Sequence, residues 1–86
     1  MILKTIIIDA EVKAIETLQI LLNDYCDGID IIGTATSTDE GLKLINNSDP
    51  DLVFLDIEMP KKTGFELINN LGVFHFSILS FYFSLI

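Results

Sequence analysis

The chain has 86 residues, half of them hydrophobic, and carries 13 acidic residues against five lysines and no arginine. A chain this short forms one domain and buries only about 60% of the surface that it exposes when unfolded, so we expect marginal stability. The net charge of −8 argues against nucleic-acid binding by this segment, because such binding needs clustered cations on the phosphates.

Cysteine content and hydropathy bear on the cellular compartment. The single cysteine, Cys26, excludes an internal disulfide and fits a reducing environment, and we expect it to be a small buried side chain near a helix end. The first residues lack the basic head and long apolar stretch of a signal peptide, because Asp9 interrupts them. No segment reaches the roughly 18 apolar residues that a membrane span needs. The sequence therefore predicts a cytoplasmic location and no membrane partner.

The first part of the chain alternates a strand pattern with a helix pattern. Residues 3–8 include three consecutive isoleucines, which is typical of a buried strand, and this strand ends at Asp9. From Val12 onward, apolar residues recur at three-and-four spacing and predict an amphipathic helix that stops near Gly28, where glycine suits a left-handed cap. The predicted buried stripe consists of Ile15, Leu18, Leu22 and Tyr25. A second strand follows over residues 29–34.

A second helix and a third strand follow. Residues 37–40 fit a capping box that starts a helix, which ends over residues 46–48, and Pro50 marks the next turn. The third strand, predicted over residues 51–56, has four apolar residues that run straight into Asp56, the pattern of a strand buried on both faces.

A third helix is predicted over residues 65–71 and completes a β-α-β-α-β-α order. This order implies right-handed crossovers and a parallel sheet with helices on both faces and the first strand between the other two.

The composition changes after Gly72. Residues 73–86 contain no lysine, aspartate or glutamate and hold five of the chain's eight aromatic residues, six Phe and two Tyr. In one interpretation, part of residues 74–82 is a fourth strand beside the third; in the other, this segment is the product of a changed reading frame. We therefore divide the chain into residues 1–72 and an apolar tail, 73–86.

Two predicted strands end in a carboxylate, Asp9 and Asp56. Ligands of open parallel sheets bind at the carboxyl ends of the strands, so neighbouring strands bring these two side chains to one edge. Two carboxylates there either repel each other or hold a hard cation such as Mg²⁺. A cation would neutralise a phosphoryl group arriving at Asp56, and carboxylates that form aspartyl phosphates are a known covalent strategy.

The segments Lys4–Asp9, Ala14–Glu16, Pro50–Pro60 and Gly64–Glu66 together resemble a bacterial response-regulator receiver domain of the CheY-like kind. Within this family, the sequence is most similar to the receiver domains that precede LytTR-type DNA-binding domains. The resemblance implies a flavodoxin-like doubly wound parallel α/β sheet, which is incomplete here because only three clear βα units precede the apolar tail.

The resemblance also implies roles for single residues. Asp56 is similar to the aspartate that accepts a phosphoryl group from a sensor histidine kinase, in a phosphorelay domain that is not itself an enzyme. Asp9, Asp56 and the backbone carbonyl of Glu58 match the positions that hold Mg²⁺. A dimer of two receivers is a further partnership that the resemblance allows.

Three departures from the family pattern predict impaired function. Ala10 stands where the family has an acid in direct contact with the metal, so Mg²⁺ binding should be weakened, and the neighbouring Glu11 is expected to point elsewhere on leaving the strand. The family's switch Thr or Ser and its phosphate-pairing lysine have no counterpart, since Lys62 is the last lysine. Two of five strands are missing as well. A receiver truncated or frameshifted near Gly72 explains the last two departures together.

Two other function classes stay open. A pseudo-receiver, which serves as a protein-interaction module without phosphorylation, fits Ala10 and the missing lysine. A Mg²⁺-dependent phosphatase of the haloacid-dehalogenase kind also uses a strand-end aspartate, but it requires a second aspartate two residues later, where this chain has Glu58, and it has no counterpart of Asp9.

Overall fold

The computed structural model describes residues 1–56 and the backbone of residues 77–81. The elements in chain order are β1 (Leu3–Ile8), α1 (Val12–Tyr25), β2 (Ile29–Ala35), α2 (Thr38–Ser48), β3 (Leu52–Asp56) and β4 (Ser77–Phe81). The strands form one sheet in the order β2-β1-β3-β4, and every neighbouring pair is parallel. The helix predicted over residues 65–71 lies outside the described residues.

This topology confirms the predicted parallel sheet with β1 between β2 and β3. It also gives the position of residues 77–81 in the sheet, because β4 pairs with the whole of β3, from Leu52 opposite Ser77 to Asp56 opposite Phe81. This pairing fits the interpretation in which part of residues 74–82 is a fourth strand, and the expectation that two of five strands are missing is wrong for the fourth. As a result, β3 has a hydrogen-bonded neighbour on each side.

Side chains of β1 and β3 alternate between two buried apolar clusters, one on each face of the sheet. The cluster on the α2 face contains Ile6, Ile8, Ala35, Ile45, Val53 and Leu55. The cluster on the α1 face contains Ile7, Ile15, Leu22, Leu52 and Phe54. Because both faces are covered, these two strands need apolar residues at consecutive positions, and this explains their uninterrupted hydrophobic sequences.

Helix α1 ends at Tyr25, earlier than predicted. Ile15 and Leu22 are buried as expected, but Tyr25 is 81% exposed, so its assignment to the buried stripe is wrong. Cys26 is exposed too, which contradicts the prediction of a buried thiol. Leu22 is the last residue of α1 in the buried cluster, and the backbone leaves helical geometry at Cys26, so the side chains beyond Leu22 meet water.

The turn between α1 and β2 depends on Gly28. Its φ of +81° lies in the left-handed region, as the sequence predicts, and its carbonyl accepts a hydrogen bond of 2.7 Å from the Leu3 amide. A Cβ atom here would lie 2.8 Å from the carbonyl oxygen of Met1. Glycine is therefore required both by the backbone angle and by the close approach of the N-terminus.

Helix α2 begins at the predicted cap. The Ser37 side chain accepts a hydrogen bond of 3.1 Å from the Glu40 amide, and its hydroxyl donates to the Glu40 carboxylate at 3.3 Å. The helix then packs closely on β1 at Gly41, where a Cβ atom would lie 2.6 Å from the Ile8 Cδ1 atom. The first turn of α2 is thus fixed over the end of β1 by the cap and by this small residue.

The pairing of β1 with β2 contains one irregularity. Thr5 lies opposite Ile31 but Ile6 lies opposite Gly33, so Ile32 is an extra residue on the edge strand. Such a bulge bends the strand and interrupts the regular hydrogen bonding. Within the described ranges, no helix is long and apolar enough to cross a membrane.

Candidate functional site

The register between β1 and β3 brings the two predicted carboxylates to one edge of the sheet. At the start of these strands, the Lys4 amide donates to the Asp51 carboxylate at 2.9 Å, and the Asp51 amide donates to the Lys4 carbonyl at 2.8 Å. From this double link the strands run in parallel until Ile8 lies opposite Leu55. Asp9 directly follows β1 and Asp56 is the last residue of β3, so both carboxylates lie at this edge, as the sequence predicts.

Backbone and side-chain bonds hold Asp9 at this edge. Its amide donates a hydrogen bond of 3.0 Å to the Ala35 carbonyl at the end of β2. One carboxylate oxygen accepts a hydrogen bond of 2.9 Å from the amide of Glu11, the residue that caps the N-terminus of α1. Asp9, which is half-buried, therefore joins three elements through its backbone and its side chain: β1, β2 and the start of α1.

Asp9 and Asp56 line one cavity of about 540 Å³ between α1 and the ends of β1 and β3. Glu11 and Lys13 line it as well, so the described part of its wall contains three carboxyl groups and one ammonium group. The apolar part of the wall comprises Ile7, Ile8, Ala14, Leu18, Leu21 and Phe54. A polar end beside an apolar wall is a common design of ligand pockets.

Ala10 lies between Asp9 and Glu11 in sequence, but its half-buried methyl group packs against the apolar cluster on the α2 face. Position 10 thus contributes neither an oxygen atom nor a charge to the cavity. Glu11 lines the cavity although the sequence argument expected it to leave the site.

The donor set present at this edge fits a magnesium ion. Mg²⁺ takes hard oxygen ligands and binds through one or two carboxylates, completed by carbonyl groups and water. Asp9 and Asp56 supply two such groups on one cavity wall. In the described residues there is no cluster of three or more side chains able to hold a metal by themselves, and Glu58 lies outside those residues. The residues therefore fit Mg²⁺ with fewer inner ligands than a three-acid site offers.

Sequence reasoning missed Lys13. Only three residues separate β1 from α1, so the first turn of α1 must lie over the carboxyl edge of the sheet, and the residues of that turn belong to the site. This short loop was the available signal, because parallel sheets of this kind bind ligands at helix starts as well as at strand ends.

Comparison with known protein families identifies a match that covers most of the chain. The model of the response regulator receiver domain matches residues 5–78, which include most of β1, all of β2 and β3, and both aspartates.

Similar proteins share this description. Over 66 residues the chain is 50% identical to an uncharacterized response regulatory protein from Vibrio vulnificus, covering 77% of this chain and 27% of the relative. Over 73 residues it is 36% identical to the transcriptional regulatory protein BtsR from Escherichia coli, covering 85% of this chain and 30% of the relative. The chain thus spans less than a third of the length of these relatives.

A solved structure shows the same fold. The CheX–CheY–BeF₃–Mg²⁺ complex from Borrelia burgdorferi matches with a TM-score of 0.69 and 30% sequence identity, over 78% of this chain and 50% of that one. The flavodoxin-like arrangement predicted from the sequence is therefore confirmed for β1 to β3 and their helices.

Proposed function

This chain belongs to the response-regulator receiver family, and from that premise we propose that Asp56 accepts a phosphoryl group from a sensor histidine kinase, with reduced efficiency in this chain. One observation carries the proposal: Asp56 and Asp9 follow directly paired strands and line the same cavity, with room for a phosphoryl group beside them. The role is that of a signalling acceptor and not of an enzyme.

The proposed transfer needs a carboxylate nucleophile on Asp56. As a P–O bond forms between Asp56 and the phosphorus atom, the P–N bond of the phosphohistidine breaks, and its electron pair returns to the imidazole ring. The main demand of such a step is positioning and neutralisation of the charge on the phosphoryl oxygens. Asp56 is suited to the first demand, because its own pairing with Phe81 of β4 and the pairing of the preceding Leu55 with Ile8 of β1 fix its backbone.

Mg²⁺ supplies that neutralisation in receivers when it is bound. We propose that Asp9, Asp56 and the backbone carbonyl of Glu58 hold it here. The Borrelia CheY structure, whose description names both Mg²⁺ and BeF₃, supports this assignment by similarity. Ala10 offers no oxygen, which is why we propose weakened binding.

The wider context of the chain is a separate proposal. Similarity to a transcriptional regulatory protein supports a receiver that belongs to a regulator with a LytTR-type DNA-binding domain, acting in the cytoplasm and able to pair with a second receiver.

We also propose that residues 1–72 are receiver sequence and that the composition change after Gly72 reflects a shifted reading frame. Receiver-like sequence in another frame past codon 72 would support the shift, and its absence would contradict it.

Ala10 also favours a second candidate, the pseudo-receiver. Its methyl group packs against apolar side chains instead of facing the cavity, so the site lacks one acid at a position that the family uses. A receiver with this defect can keep its fold and its partner surface while losing phosphorylation. No observation favours the phosphatase alternative.

Incubation with acetyl phosphate and Mg²⁺, followed by intact-protein mass spectrometry, separates these possibilities. We expect a small fraction of the wild-type chain to gain one phosphoryl group, and Asp56→Asn to abolish the gain. Asp51→Asn is the matched control, because Asp51 directly precedes the opposite end of β3 and its substitution should leave the labelling unchanged.

Each other result has a definite meaning. No labelling of the wild type would favour the pseudo-receiver. Labelling that persists in Asp56→Asn would assign the acceptor to another residue. Stoichiometric, stable labelling would show that the site is not impaired.

A further inference from the structure

We propose that Lys13 of α1 contacts the phosphoryl group on Asp56 and stabilises it by pairing with its negative charge. This inference rests on the proposed function of Asp56. It concerns a residue in the first turn of α1, which the sequence analysis did not single out.

The distribution of cations identifies Lys13. Of the five lysines, three lie in the described residues: Lys4, Lys13 and Lys43. Lys4 is near the start of β1, at the opposite edge of the sheet, and Lys43 is an exposed residue of α2, which packs on the other face. Lys13 is the lysine of this group that lines the cavity with Asp9 and Asp56.

The negative charge of the cavity gives Lys13 a role in binding a phosphoryl group. The described wall of the cavity holds three carboxyl groups and a single ammonium group. Phosphorylation replaces the single negative charge of the Asp56 carboxylate with the charge of a phosphoryl group, about −1.5 to −2 near neutral pH, so the negative charge in the cavity increases. An acyl phosphate surrounded by carboxylates is repelled unless cations approach it. Ala10 offers no oxygen ligand, so a metal ion at this site has one ligand fewer to hold it.

Geometry allows the contact. Lys13 is the second residue of α1, its side chain is exposed, and a four-carbon stem lets its ammonium group move within the cavity mouth. The helix offers additional support, because amide groups of its first turn have no partner within the helix and carry the positive end of the dipole. An ammonium group that pairs with phosphoryl oxygens acts as a point charge and does not need the fixed geometry of a guanidinium group.

The test measures binding of beryllofluoride, a stable mimic of the phosphoryl group, in the presence of Mg²⁺ by titration calorimetry. We expect Lys13→Ala to weaken beryllofluoride affinity by at least about tenfold, since a charge-assisted hydrogen bond is lost. Lys13→Arg should keep most of the affinity because it keeps the charge. Lys43→Ala, which removes the same charge from the opposite face, should leave affinity unchanged.

A second titration, with Mg²⁺ alone, separates a direct role from general damage. Removal of a cation from an acidic cavity should leave Mg²⁺ affinity equal or slightly higher in Lys13→Ala, whereas a distorted site would lose it. Equal beryllofluoride affinity in the wild type and Lys13→Ala would overturn the inference while the role of Asp56 stands. Failure of the wild type to bind beryllofluoride would overturn the proposed function, and the role of Lys13 with it.

Discussion

Ala10 is the single residue that most limits the site. It lies between two residues that line the acidic cavity, yet its own methyl group packs on the opposite, apolar side. An aspartate at this position has two opposing effects. Its carboxylate adds a hard oxygen ligand for Mg²⁺, and it also places a charge next to an apolar cluster, which is unfavourable until a cation or water meets it.

We therefore predict that Ala10→Asp raises Mg²⁺ affinity by at least about tenfold, the scale of losing or gaining one ligand group. In metal-free buffer the same substitution should lower the free energy of unfolding by roughly 1–2 kcal/mol. Calorimetry and urea unfolding measure the two effects. Ala14→Asp is the control, because it adds the same charge to the cavity wall from the helix and should strengthen Mg²⁺ binding much less. Equal Mg²⁺ affinity in the wild type and Ala10→Asp would refute the argument.

At the level of single elements, α2 owes its position to its first turn. Ser37 satisfies the Glu40 amide, and the Ser37 and Thr36 hydroxyls both donate to the Glu40 carboxylate, at 3.3 and 3.2 Å. Asp39 and Glu40 in the same turn also complement the positive end of the helix dipole. The cap therefore combines hydrogen bonding with favourable charge placement.

Loss of this cap should be measurable. Ser37→Ala is predicted to destabilise the chain by about 1 kcal/mol, because the Glu40 amide loses its partner at the helix start. Thr17→Ala, an exposed substitution within α1, should be neutral or slightly stabilising, since alanine favours helix more than threonine does. Urea unfolding followed by circular dichroism compares the two variants. A cost for Ser37→Ala no larger than that for Thr17→Ala would show that the cap contributes nothing.

At the scale of the whole molecule, β4 covers the edge of β3 that faces away from β1. The side chains of β3 are buried on both faces of the sheet. Without β4, this apolar strand would be an edge strand, and the backbone groups on that edge would face solvent. A chain that ends at residue 76 is predicted to associate as its concentration rises, as measured by light scattering. A chain that ends at residue 81 keeps β4 and should associate much less. Identical behaviour of the two chains would mean that β4 does not protect β3.

Much of this arrangement follows from sequence pattern. The buried strands were predictable because three isoleucines in β1 and four apolar residues in β3 leave no alternation to interpret, and the Ser37 cap was predictable because its bonds are local. Strand-end aspartates then had to meet at one edge. The place of Tyr25 was not predictable, since helical spacing does not reveal where the sheet beneath a helix ends. Lys13 was missed for a related reason: its importance comes from the packing of α1 over the strand ends and not from its neighbours in sequence.

The extra residue in β2 has a consequence for how copies of this chain can assemble. An edge strand with irregular hydrogen bonding pairs poorly with a further strand, so strand addition at the β2 edge of the sheet is disfavoured. Within the part of the chain that the structure describes, the pairing of β3 with β4 is regular, whereas the pairing of β1 with β2 is not, so the two edges of the described sheet differ. Strand addition at the β2 edge is therefore disfavoured, and this removes one of the two edges that head-to-tail growth of a fibre through this sheet requires.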